Sequence, residues 1–155
     1  MNAIDVLLAS LDEAFDRKGW HGTNLRGSVR GLSVEEILWR PAAGRHNIFE
    51  LALHTAYWKY VVRRRLRGEK RGSFPRKGSD WFPSPKREVE EEWRAAVVLM
   101  EEQHRALRET VEAIDPRQLD AKSRHLIAGA AAHDLYHAGQ IQLIKRLREA
   151  VAGSW

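Results

Sequence analysis

The sequence predicts an all-α fold: one four-helix bundle with a long loop between its second and third long helices. Three observations carry this. Four segments repeat apolar residues at three- and four-residue spacing, short Gly- and Pro-containing stretches separate them, and no segment alternates apolar and polar residues as a half-buried strand does. The 155 residues fit a single domain spanning 1–155. A domain of this size buries enough surface to need no covalent staples.

The first helix is expected over residues 3–18, with Ile4, Leu7, Leu8, Leu11, Ala14 and Phe15 on its apolar face and Gly19 as its stop. A connector, WHGTNLRGSVRGL, leads to a short helical turn opened by Ser33 with Glu36 three residues on, the capping-box spacing. Pro41 and Gly44 end it. The second long helix opens at Asn47, with Glu50 at the third helical position as a capping partner. It carries Ile48, Leu51, Thr55, Trp58 and Leu66 inward and closes at Gly68. The loop GEKRGSFPRKGSDWFPSPK holds three of the five prolines and the aromatics Phe74, Trp81 and Phe82. A loop that long in a compact domain is read as functional, as a lid over a site. The third helix is expected over residues 86–114, with Trp93, Val97, Met100, His104, Leu107, Val111 and Ile114 as its seam before Asp115-Pro116. The fourth is expected over residues 121–152, with Leu126, Ala130, His133, His137, Ile141, Ile144 and Leu147 inward.

Composition excludes several chemistries. With no cysteine, the chain has no disulfide, thiolate metal site or cysteine nucleophile. The N-terminal segment lacks a basic region of the signal-peptide kind, and no apolar run approaches a membrane span, so a soluble cytoplasmic chain is expected. The net charge of +5 would suit an acidic partner, but 26 Lys and Arg are interspersed with 21 Asp and Glu. The one dense basic run, Arg63, Arg64, Arg65 and Arg67, ends a helix, where cations favour the macrodipole. That pattern reads against nucleic acid.

Seven histidines are present: His21, His46, His54, His104, His125, His133 and His137. His133 and His137 stand four apart on a helix, so both rings leave one face and can converge on one point. His54 points inward from another helix, three residues after Leu51 and four before Trp58. Imidazoles in a bundle core cost desolvation unless something satisfies them, and one metal ion satisfies all three. A hydrogen-bonded core histidine is the competing reading of each. His104 is a candidate fourth ligand or base, or simply a core residue. Gln140 lies three residues after His137, where it can hold a ligand, and Asp134 is a candidate acceptor beside the ligands. His21, with Asn24, lies in the first connector, where a substrate pocket would close. His46, just before a helix cap, and His125 read as surface residues.

The segments HNIFELALHTAYWKYVVRRRLRG and AAHDLYHAGQIQLIKRL, the latter with its H-x-x-x-H-x-x-Q-I pattern, resemble the second and last helices of the DinB/YfiT-like superfamily. WHG, LWRPAAG and DWFPSP resemble its connectors in the right order. The resemblance implies an up-and-down four-helix bundle with a divalent metal on three histidines, which map onto His54, His133 and His137. An all-imidazole set suits zinc, nickel, copper or cobalt rather than magnesium or calcium, with zinc or nickel the expected ion, and three protein ligands leave a coordination position open. The resemblance further implies a small-molecule substrate, a low-molecular-weight thiol as co-substrate of an S-transferase, and a homodimer. A hydrolase, or a metal- or small-molecule-binding protein without catalysis, is the alternative.

Overall fold

The computed structural model describes residues 1–153. The long helices are α1 (Ala3–Phe15), α4 (Ile48–Leu66), α5 (Val89–Glu112) and α6 (Ala121–Ala152). Two short helices, α2 (Leu25–Ser28) and α3 (Val34–Leu38), lie in the first connector, and a 3-10 turn, Pro116–Gln118, precedes α6. No strand forms among the described residues. α4 packs on α5 and α6, and α1 on α6 and α5, which closes a ring of four. No helix is long and apolar enough to cross a membrane among the described residues.

Local chemistry sets the helix ends. Asn2 opens α1 in a reciprocal capping box with Asp5. α1 stops at Phe15, short of the expected residue 18, because the Asp16 and Arg17 amides both turn back onto the Asp12 carbonyl. Asn24 then caps α2 through the Gly27 amide and ties it to α1 by donating to the Arg17 carbonyl. That short helix has only four residues, too few to leave a periodic signal. Ser33 and Glu36 form the expected box. α5 starts at Val89, three residues late, because Glu88 adopts a left-handed conformation at φ 51°. Glu90, Glu91 and Glu92 then face the positive end of the helix dipole. Gly68 closes α4 at φ 66°, a conformation that costs glycine little.

The core divides in two. Ile4, Leu8, Leu11, Val62, Leu107, Val111, Ile127 and Ala131 fill one end of the bundle. Phe15, Phe49, Leu53, Ala56, Met100, Ala138 and Ile141 belong to the other, which the loop's Phe74, Trp81 and Phe82 help cover. A polar layer lies between them: Lys59 on α4, His104 on α5 and Asp134 on α6. The Lys59 ammonium donates to Asp134 at 2.6 Å, with both side chains almost completely buried. Ala130, His137, Ile141 and Ile144 of the expected α6 seam are buried, and Ile127, Ala131, Asp134 and Ala138 widen the buried stripe by one position. His133 is half-buried at its edge, and Leu147 is exposed.

Candidate metal centre

α4 and α6 run side by side and bring His54 opposite His133 and His137. The Nε2 atom of His133 lies 3.3 Å from that of His54 and 3.0 Å from that of His137. The three rings offer ligand atoms that all lie within 4.8 Å of one another. Two nitrogens on a tetrahedral ion, with bonds of about 2.0–2.1 Å, stand about 3.3 Å apart. The spacing fits a cation.

Proton positions make the same point. His54 Nδ1–H donates to the Asp80 carbonyl at 2.8 Å, and His137 Nδ1 pairs with Gln140 Oε1 at 2.7 Å. A carbonyl oxygen only accepts, so both rings carry their proton on Nδ1 and aim the Nε2 lone pair at the cluster. Two unprotonated Nε2 atoms thus face His133 Nε2, which can donate its single proton to only one of them, whereas a cation between the rings would satisfy all three nitrogens. Burial first, and then the neighbouring His137, His54 and Lys59, hold the His133 pKa down to about 3. Burial holds His137 at about 4 against the opposing Gln140 bond, and lowers His54 as well. The rings are therefore neutral at physiological pH, the protonation state in which imidazole binds a metal.

The long loop builds part of the centre. Asp80 adopts φ 70°, a left-handed conformation that Asp tolerates better than most residues. That turn aims its carbonyl at His54 and its carboxylate at the Trp58 indole N–H, 2.7 Å away. The next residue, Trp81, slots between two imidazoles, stacked on His54 at 3.9 Å and on His46 at 3.5 Å. The loop expected as a lid is therefore fastened into the site. Its Phe74 and Phe82 pack together and on Tyr57.

His46 is exposed, as its surface reading expected, but it is not unpartnered. Its Nδ1–H donates to Glu50 at 2.9 Å, and Arg40 and Ser84 hold the same carboxylate. Glu50 is therefore not the expected capping partner: Asn47 caps α4 through the Glu50 amide, but the Glu50 side chain turns away. Burial raises the Glu50 pKa, yet the Arg40 and His46 bonds more than offset it and leave it low. The i,i+4 spacing of His46 and Glu50 was the available signal. A cavity of about 350 Å³ opens beside His137 and is walled by His46, Arg45, Trp81, Tyr136, Gln140 and Ile144 among others.

The remaining candidates separate. Gln140 is at the centre, as an orienting partner of His137. His104 is not: it stacks on Phe15 at 4.0 Å, stands 3.4 Å from Asp12 and walls a different cavity. Burial, then the Lys59 charge, lowers its pKa to about 4 against the pull of Asp12. His21 is exposed in the turn after α1, folded back over Gly19. Asp134 does not support a ligand, because Lys59 takes both of its oxygens. Neither sequence spacing nor composition singled out Lys59.

Removing the partner of His137 is expected to weaken the centre without dismantling it. Gln140→Leu should lower metal affinity by about 10–100-fold, the usual effect of losing an outer hydrogen-bond partner. A competitive titration against a chromophoric chelator reads this, and unchanged affinity would remove Gln140 from the site.

No curated protein and no solved structure shows a match to this chain. A sequence profile of the DinB superfamily matches residues 17–143, most of the chain and all three clustered histidines. An all-helical bundle, a buried histidine cluster at the α4–α6 crossing and that match agree, and the chain belongs to the DinB superfamily.

Proposed function

We propose that the chain holds a divalent transition metal, zinc or nickel, on His54, His133 and His137, and uses it to transfer a low-molecular-weight thiol to an electrophilic small molecule. One observation carries this reading: three Nε2 atoms converge, those of His54 and His137 with their Nδ1 sides engaged, beside a cavity large enough for a substrate. Ligand cavities run about 300–1,000 Å³, so 350 Å³ lies within the range. A cation on such nitrogens supplies Lewis acidity, lowering the pKa of a thiol and polarising an electrophile.

The protein's own groups supply the rest. Gln140 and the Asp80 carbonyl fix the imidazole orientations. Trp81 and Ile144 give the cavity an apolar wall, and Arg45, without an acidic partner among the described residues, gives it a cationic one. Glu50 holds His46 with its proton on Nδ1, so His46 Nε2 is free to accept one. In the proposed reaction the thiol proton passes to His46 Nε2. An S–C bond then forms at the electrophilic carbon, and the leaving group departs with its bonding electrons. No carboxylate lines this cavity among the described residues, which favours transfer to a thiol over hydrolysis by a carboxylate-activated water.

The test is chloride release from 1-chloro-2,4-dinitrobenzene with cysteine as the thiol, followed with zinc-loaded protein, metal-free protein and His46→Gln. Faster release with metal, and slower release in His46→Gln at unchanged metal content, is expected. Equal rates with and without metal would leave a metal-binding protein without this catalysis.

A further inference from the structure

The groove between α4 and α6 continues past the histidines in the other direction. A second cavity of about 160 Å³ lies there, bounded by Trp58 and Arg65 of α4 and by His125, Gly129 and His133 of α6. It shares no lining residue with the larger cavity. His133 borders one and His137 the other, one helical turn apart.

Two features mark it as a binding compartment. Gly129 sits within α6, where glycine weakens a helix relative to alanine. A Cβ at this position would meet nothing within 4 Å, so no close approach of another helix requires the glycine. It lines the cavity one turn before His133, with open space where a side chain would stand. At the rim, Arg65 is exposed and has no acidic partner among the described residues, with His125 beside the same cavity. Lys59 adds no free charge, because Asp134 seals its ammonium.

We propose that this cavity is a second ligand compartment of the metal centre and takes a short organic carboxylate, with its anionic end at Arg65 and its other end toward His133. The volume lies below the range of ordinary ligand cavities, so the occupant is smaller than the substrate of the main cavity. The inference rests on the metal reading above. It gives the centre two entrances, so two reactants reach the histidines without sharing a path.

The experiment titrates the cobalt-loaded protein with mercaptoacetate, whose sulfur gives a charge-transfer band on cobalt, and with 2-mercaptoethanol, which lacks the carboxylate. Mercaptoacetate is expected to half-saturate at a concentration at least tenfold lower. Arg65→Gln should abolish that preference, and Gly129→Leu should raise half-saturation by mercaptoacetate at least tenfold. Leu143→Trp, which narrows the larger cavity, should change it less than twofold. Gly129→Ala, placing one methyl in open space, keeps the helix intact and controls for folding. An unchanged titration in Arg65→Gln and Gly129→Leu, or a loss confined to Leu143→Trp, would overturn the proposal. Failure of the wild-type protein to take up cobalt would sink the metal reading instead. In that case the Trp58 indole NMR signal of the metal-free protein decides the compartment: mercaptoacetate should shift it in the wild type but not in Gly129→Leu, and no shift in either overturns it.

Discussion

Lys59→Met is expected to lower folding stability by about 3–5 kcal/mol, the usual effect of removing one partner from a buried ion pair. Domains of this kind are stable by only about 5–15 kcal/mol, so the variant would sit near the edge of folding. The reason is the carboxylate left behind. Burial already raises the Asp134 pKa to about 6, with Lys59 pulling the other way. Without the ammonium, Asp134 loses the partner of both its oxygens at a position with no access to water. Burial likewise lowers the Lys59 pKa and Asp134 restores it, so each group keeps the other charged. Lys59→Met/Asp134→Leu should recover most of the loss, because an apolar pair of similar volume carries no desolvation penalty. Urea unfolding of the metal-free proteins measures both. A single variant within about 1 kcal/mol of wild type, well under the range for a broken buried pair, would show that the pair contributes little.

His137→Ala is expected to lower metal affinity by more than a hundredfold, beyond the roughly 10–100-fold reserved for an outer partner such as Gln140. The imidazole it removes is the one that both approaches His133 at 3.0 Å and walls the main cavity. Folding should survive, because the lost ring is itself a desolvated polar group whose Nδ1 partner, Gln140, is half-exposed and can turn to water. A thermal shift separates the effects. At about a hundred times Kd, metal stabilises the wild type by about 2.7 kcal/mol, an increment that should be absent in the variant. Equal metal-induced shifts in the two proteins would exclude His137 as a ligand.

Much of this architecture is visible in the amino-acid order. The helices α4 and α6 start at Asn47 and Asp120 because side-chain oxygens there accept backbone N–H groups, a local event that sequence records. The pairing of His133 with His137 is local too. The C-terminal end of α1 and the start of α5 differ from expectation because Asp16 and Glu88 take backbone conformations that no apolar period reveals. The buried ion pair was invisible for another reason. A lysine on a helix is normally solvated, and its partner lies 75 residues away. Around the metal centre, spacing pointed to the histidines but not to what aims them. Asp80 and Trp81 reach the site only through the path of a long loop, and Glu50 looked like a cap because it occupied the position of one.

The polar layer between the two halves of the core acts as an alignment pin. Apolar contacts tolerate sliding, since one aliphatic side chain replaces another at small cost. A one-turn slip of α4 along α6 would move them by about 5.4 Å and strand both Lys59 and Asp134 without a partner. Lys59 follows His54 by five residues on α4, and Asp134 follows His133 directly on α6. The contact that penalises slippage thus lies next to the histidines whose levels must match, and one buried charge pair calibrates the height at which three imidazoles meet.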